Sequence, residues 1–211
     1  MVRDGILYGS ALVLLGILGG SLGGFAWAVP PLALAAFVLY FFRDPERAIP
    51  AGEVVVSPAD GRVVGVQQVL WAGRPHWRVS IFLSLLDVHV NRAPVAGIIR
   101  DLSYTPGRFL MASRPEASVE NEQNTVTIEG ERFTVTFKQI AGVLARRIVF
   151  RKKIGDRVER GERVGLIKFG SRVDLFLPPE TPPLVRVGDR VKGGSSILAR
   201  LEASVPPAPL H

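Results

Sequence analysis

The chain has 211 residues, no cysteine, three histidines and a formal net charge of +7. Disulfides, thiolate metal sites and cysteine nucleophiles are therefore excluded, and a zinc site built from several imidazoles is hard to assemble. A basic balance suits nucleic acid or an anionic lipid surface. The arginines are scattered and no nucleic-acid motif occurs, so the lipid surface is the better partner for a chain that also carries an apolar segment.

That segment comes first. No charged residue occurs from Gly5 to Phe42, a run longer than the roughly 20 residues one spanning helix needs. Gly19-Gly20, Gly23-Gly24 and Pro30-Pro31 punctuate it. Proline disfavours helix in its own interior and at the residue before it, which predicts two helices, Ile6–Ala28 and Pro31–Phe42, with a turn at the prolines. The second is short, so crossing the bilayer and a re-entrant insertion both stay open. Arg3 precedes the hairpin and Arg43 and Arg47 follow it, which predicts both ends on the cytoplasmic side of the cell membrane. A secretory signal would have a shorter apolar core and a small-residue cleavage site. Residues 1–48 are read as the anchoring hairpin and 49–211 as a second, β-rich domain.

After Pro50 short β-branched runs alternate with Gly, Pro and Asp. Strands are predicted at Glu53–Val56, Arg62–Leu70, Trp77–Leu85, Ile98–Tyr104, Thr125–Glu129, Phe133–Gln139, Arg147–Arg151, Arg163–Lys168, Arg172–Leu177 and Ile197–Leu201. Alternation in Trp77–Phe82 and Thr134–Lys138 predicts one buried face in each, and no amphipathic helix of 12 residues is evident. One echo occurs: Ile154-Gly155-Asp156-Arg157-Val158-Glu159-Arg160-Gly161 returns as Val187-Gly188-Asp189-Arg190-Val191-Lys192-Gly193-Gly194. Paired units of this kind are typical of flattened β-barrels of the biotinyl and lipoyl type, although no carrier lysine sits at a hairpin tip. Two copies of one unit and two merely similar turns remain equal readings. The fold expected is mainly β: a flattened barrel or sandwich with lipoyl-like elements behind the helical hairpin. Tyr104–Asn124 is a long, weakly periodic stretch of the kind that tends to be functional.

Few residues offer chemistry. Asp60, in Ser57-Pro58-Ala59-Asp60-Gly61-Arg62, is either a turn carboxylate or one that orients a histidine. His89, in Asp87-Val88-His89-Val90-Asn91-Arg92, is either a structural histidine or the chain's best general acid or base, because His76 lies between Pro75 and Trp77 in a turn and His211 ends the chain. A zinc hydrolase would want a His-x-His pair, and here Val90 and Asn91 follow. Gly170-Ser171 stands between two apolar runs, a setting in which some proenzymes cut their own backbone. Gly9-Ser10, Gly20-Ser21 and Gly194-Ser195 are also present, and cleavage at the last would leave only a short tail as the catalytic chain.

Together these residues resemble the phosphatidylserine decarboxylases in their short, membrane-anchored (archaeal-type) form. The match is carried by Phe41-Phe42-Arg43-Asp44-Pro45-Glu46-Arg47, Ser57–Gly61, Asp87–Arg92, Asn121-Glu122-Gln123-Asn124, Gln139–Gly142 with Ala145–Ile148, and Phe169-Gly170-Ser171-Arg172, in that order behind the hairpin. The resemblance implies a proenzyme in which Ser171 attacks the Gly170 carbonyl. It implies a β chain 1–170 and an α chain 171–211 that stay associated as a heterodimer. The cofactor implied is a covalent pyruvoyl group made from Ser171, with no metal. It would form a Schiff base with the amine of phosphatidylserine and lead to phosphatidylethanolamine and CO2. Asp60 and His89 are the implied activators of Ser171, and His89 the implied proton donor to the substrate. Arg92 is a candidate phosphate contact or a solvated arginine; Asn121, Glu122 and Asn124 line the head group or stabilise their loop. Long-form relatives carry a second histidine where Arg92 stands, so a division of labour between two histidines does not transfer. Higher oligomers are left open, and no nucleic-acid partner is expected. The rival reading is a membrane-tethered lipoyl-like adaptor without chemistry.

Overall fold

The structure, a computed structural model, describes residues 2–112, 114, 116–143, 147–168 and 170–200. Ser113, Pro115, Ala145, Arg146, Phe169, Leu201 and His211, each named above or inside a range given above, lie outside the described residues. The chain divides into two compact units, Met1–Glu46 with Leu85–Val88, and Arg47–Ser84 with His89–His211.

The first unit is a helix pair, α1 (Arg3–Gly23) and α2 (Phe25–Phe41). The turn falls at Gly24 rather than at the prolines, which lie inside α2. Gly24 has φ +85°, a conformation that glycine adopts without a Cβ penalty. Pro30 and Pro31 withhold the N–H groups that would reach the carbonyls of Ala26 and Trp27. Gly19 of α1 packs there: a Cβ on it would lie 2.9 Å from the Trp27 oxygen. The same holds along the seam, where a Cβ on Gly5, Gly9 or Gly16 would come within 2.3, 2.5 or 2.7 Å of Phe42, Leu39 or Leu32. Small residues thus let the two helices approach closely, as in membrane helix pairs. Leu22, Phe25 and Trp27 are exposed by 70% or more, which is tolerable against lipid and costly against water. α1 is long and apolar enough to cross a membrane. In the same unit Arg43 Nη2 donates to the Leu86 carbonyl at 2.6 Å.

The second unit is nearly all β. Its strands are β1 (Val54–Val56), β2 (Gly61–Trp71), β3 (Arg74–Leu83), β4 (Val90–Arg92), β5 (Gly97–Thr105), β6 (Gln123–Glu129), β7 (Thr134–Ile140), β8 (Ile148–Phe150), β9 (Arg157–Val158), β10 (Arg163–Ile167), β11 (Ser171–Leu177), β12 (Arg190–Val191) and β13 (Ile197–Arg200), with a single turn of helix, α3 (Ala117–Glu120), before β6. An eight-stranded sheet runs β12-β2-β3-β11-β7-β6-β5-β9, accompanied by β4-β10-β8 and β1-β13. Val79, Ile81, Val126, Ile128, Val135, Phe137, Val173 and Leu175 form the centre of the core.

The sheet order is a palindrome. β12, β2, β3 and β11 on one side match β9, β5, β6 and β7 on the other. Hydrogen bonds repeat with the same offsets. Gly194 N donates to Ser57 O as Gly161 N does to Ala93 O, and Val63 N to Asp189 O as Ile99 N to Asp156 O. The β-bulge between Val63 and Gly65 recurs between Ile99 and Asp101. Arg92 N donates to Pro58 O while Val56 N donates to Pro94 O, an exchange expected of two units related by an approximate two-fold. The echoed turns at Gly155-Asp156 and Gly188-Asp189 therefore occupy equivalent places, with Asp156 Oδ2 accepting from Lys153 N and Asp189 Oδ2 from Arg186 N. β11 and β7, central and adjacent, lie on either side of the relation.

Candidate active site

Ser171 opens β11, opposite Leu83 of β3. Strand periodicity puts Val173, Leu175 and Leu177 on its own face, toward the core, and Arg172, Asp174 and Phe176 on the other. Ser171 is fully buried, and its Oγ has no hydrogen-bond partner among the described residues. A buried hydroxyl without a partner forgoes about 1–3 kcal/mol, so this hydroxyl adds nothing to stability. Gly170 before it has φ +63°, a left-handed turn that re-aims the chain as it enters the strand.

His89, 81 residues away in sequence, meets this turn. The Gly170 N–H donates to His89 Nε2 at 3.3 Å. Nε2 therefore presents a lone pair to the Gly170–Ser171 segment, and in the neutral ring the proton sits on Nδ1. The imidazole is completely buried. Its backbone is fixed by the Ile167 N–H, which donates to the His89 carbonyl at 3.3 Å, and β4 pairs β10 directly after it.

Asp60 is largely buried beside the turn between β1 and β2. Two of its bonds come from Arg47 Nη2 at 2.6 Å and from the Gly193 N–H at 2.8 Å. Arg47, counted from sequence as a membrane flank, is thus an ion-pair partner of a candidate site residue. Arg92 is buried, with Nη1 on the Gly161 carbonyl at 3.0 Å. The Asn121 amide holds the preceding loop: Oδ1 accepts from Leu110 N at 2.9 Å, and Nδ2 donates to Leu110 O at 2.8 Å and to Ala141 O at 2.7 Å. Asn124 Nδ2 donates to Gln139 Oε1 at 2.9 Å, and Gln139 Nε2 passes the chain to Asn91 Oδ1 at 2.8 Å. Glu122 is buried to within 9% and lies beside the exposed Tyr104 hydroxyl. Desolvation, then the Glu122 carboxylate, hold that phenol above its ordinary range.

On the opposite face of β11 lies a buried ion pair. Arg172 Nε is 3.0 Å from Asp174 Oδ1, although not aligned for a hydrogen bond, and Nη2 donates to Oδ2 at 3.3 Å. Ser118 Oγ donates to the same Oδ2 at 2.9 Å. Arg172 Nη1 then donates to the carbonyls of Ala112 at 3.1 Å and Arg114 at 3.0 Å. Burial pushes the Arg172 guanidinium down from its ordinary value, and Asp174 pulls it back up. Lys138, on Gln123 Oε1 at 2.9 Å, is lowered by desolvation and by the nearby Arg78 and Arg172, against the pull of Asp174.

A sequence model of the family described as phosphatidylserine decarboxylase matches residues 34–199. The chain belongs to the phosphatidylserine decarboxylase family. It is 54% identical over 200 residues to the phosphatidylserine decarboxylase proenzyme of Solibacter usitatus, covering 95% of this chain and 96% of that protein. It is 44% identical over 207 residues to the proenzyme of Cupriavidus pinatubonensis and 41% identical over 206 residues to that of Ralstonia pickettii, each match covering about 95% of both proteins. Membership of a decarboxylase family sets aside the reading of a non-enzymatic adaptor. Around the candidate site lie buried polar groups to which the sequence reading gave no role: Arg172, Asp174 and Ser118 at the other face of β11, and the amide chain through Gln139 to Asn91. A charged pair two residues apart inside an otherwise apolar strand was the available signal for the first, since such residues share a face.

Proposed function

We propose that this chain decarboxylates phosphatidylserine to phosphatidylethanolamine and CO2, using a pyruvoyl group made from its own Ser171 after cleavage of the Gly170–Ser171 bond. The observation that carries the proposal is the buried Ser171 hydroxyl with no partner, next to a residue whose N–H is held by His89. That donor set fits the group: a serine hydroxyl bonded to no described group, at a strand end, one residue from a backbone N–H that meets an imidazole nitrogen.

In the precursor, His89 Nε2 takes the Ser171 Oγ proton and Oγ bonds to the Gly170 carbonyl carbon. The C–N bond then breaks and the proton goes to the Ser171 nitrogen, leaving an ester. Loss of the Ser171 Cα proton expels the Gly170 carboxylate from Cβ. Water then replaces the resulting enamine nitrogen as ammonia. The products are a β chain, residues 1–170, and an α chain, residues 171–211, and these two chains form the heterodimer. They remain one fold because β11 keeps its ladders to β3 and β7.

Asp60 supports His89 in this reading. The two-fold relation gives a reason. The equivalents of Asp60, His89 and Ser171 are Ala96, Glu53 and Phe133, and those three line a single cavity together with Gly97, Gly130 and Arg132. By that analogy we assign Asp60 to the same side of the fold as Ser171 and His89.

A pyruvoyl group at this position would supply an electrophilic carbonyl for the substrate amine and an electron sink for decarboxylation. The chain's own part is to exclude water, which the burial of His89 and Ser171 serves, and to return a proton to the substrate α-carbon, which we assign to His89. Asn121 and Asn124 are assigned to holding the loop and the β6–β7 pair. Arg92 and Glu122 are the proposed contacts of the lipid head group. The division into an anchoring hairpin, 1–48, and a catalytic domain, 49–211, follows the lipid nature of the substrate. With arginines at both ends of the hairpin, the catalytic domain is proposed to face the cytoplasm.

Full-length protein reconstituted in phosphatidylserine vesicles should form phosphatidylethanolamine and release CO2. Ser171→Ala removes an oxygen that bonds to nothing described, so it should fold normally and form neither product. Product formation by Ser171→Ala at the wild-type rate would end the proposal.

A further inference from the structure

β7 ends at Ile140, directly opposite Arg172 of β11. Continued one residue at a time in this antiparallel register, the chain brings Ala141 beside Ser171 and Gly142 beside Gly170. The contact is tight. A Cβ built on Gly142 would lie 2.2 Å from the Gly170 oxygen, 3.1 Å from its carbonyl carbon and 3.3 Å from Ala112 Cβ. Gly142 is not among the glycines with positive φ, so its backbone conformation is open to any residue and only space demands glycine. The obstructing atom is a backbone oxygen, not the end of a flexible side chain. The far wall of the slot is fixed too, because Arg172 Nη1 holds the Ala112 carbonyl at 3.1 Å.

We propose that Gly142 is a positioning residue for self-cleavage: its missing side chain is the space in which the Gly170 carbonyl lies while Ser171 attacks it. This rests on the cleavage proposed above. A methyl group there must displace the very carbonyl that is attacked, and a misplacement of about 1 Å can slow a positioned reaction about 100-fold.

The test is the processing of full-length Gly142→Ala, followed by intact mass after expression, beside wild type and Gly97→Ala. Gly97 is the matched control, since its Cβ would meet another backbone oxygen, that of Glu129, at the same 2.2 Å. Hydroxylamine separates the steps: it cleaves the ester formed by the first step and leaves an uncut amide alone. Gly142→Ala is expected to melt cooperatively, to stay one chain with processing slowed about 100-fold, and to give no fragments with hydroxylamine. Gly97→Ala is expected to be processed like wild type. Processing of Gly142→Ala at the wild-type rate would overturn the inference, and so would fragments released from it by hydroxylamine, because the attack would then be intact. If Gly142→Ala does not fold, Ala112→Leu fills the slot from its other wall and is expected to stall at the same step; wild-type processing there would overturn the inference equally. A wild-type chain that never splits would instead refute the self-cleavage itself.

Discussion

Replacing His89 with alanine is expected to leave the chain in one piece, with self-cleavage slowed about 10²- to 10⁴-fold, the usual contribution of a positioned general base. His89 Nε2 accepts from the N–H of Gly170, the residue whose carbonyl is proposed to be attacked. Alanine also strands that part-buried N–H, at a cost of up to about 1–3 kcal/mol, so an unprocessed His89→Ala chain by itself does not separate chemistry from folding. His89→Gln does. A glutamine oxygen can still accept the Gly170 N–H, but it cannot take a proton at neutral pH. The expected result is recovery of stability toward wild type in urea unfolding, with no recovery of processing. Recovery of both would assign His89 a structural role.

The second large effect is expected at Arg172. Removing one partner of a buried ion pair costs about 3–5 kcal/mol, because the other charge is left uncompensated. That is a large fraction of the roughly 5–15 kcal/mol that holds a domain folded. Arg172→Met leaves Asp174, which is completely buried, with the Ser118 hydroxyl as its described neutral donor, and frees the carbonyls of Ala112 and Arg114. The single variant should unfold at clearly lower urea than wild type. Arg172→Met with Asp174→Leu should regain much of the loss, since replacing both members by apolar groups is far less costly than orphaning one. If the chain is cut between Gly170 and Ser171 as proposed, these bonds acquire a further role: Arg172 and Asp174 would belong to the small chain, and Ala112, Arg114 and Ser118 to the large one. The same single variant should therefore release the small chain at lower urea. Additive losses in the double variant would remove the ion pair from the account.

The strands were readable where alternation was clean. Trp77–Phe82 and Thr134–Lys138 became β3 and β7, with Val79, Ile81, Val135 and Phe137 buried as the alternation requires, although Ser80 and Thr136 on the other face are buried as well. β4 escaped because all three of its residues are buried, leaving no alternation to detect, and β9 and β12 escaped because two residues carry no period. The hairpin turn was misplaced because proline is a strong breaker in water, whereas here glycine packing lets α2 run through Pro30 and Pro31. Half of the internal repeat was visible, in the Gly-Asp turns. The other half was not. Ser57-Pro58-Ala59-Asp60-Gly61 and Ala93-Pro94-Val95-Ala96-Gly97 share only proline and glycine, because backbone pairing asks little of side chains. What it does ask is glycine at the close approach, where a Cβ on Gly61 or Gly97 would be 2.2 Å from a carbonyl oxygen. Of the site, Gly170, Ser171 and His89 were legible as motif, and the structure adds that the Gly170 N–H meets the imidazole. Gly142 was quoted within a motif, but nothing in one dimension tells that it lies against the Gly170 carbonyl.

The most direct measurement is the intact mass of the purified, active protein. The account predicts two chains that break between Gly170 and Ser171, with the smaller one lighter by one ammonia than a peptide beginning in serine and refractory to Edman degradation. Active protein whose mass is that of a single continuous chain, or whose small fragment begins with a free serine amine, would contradict it.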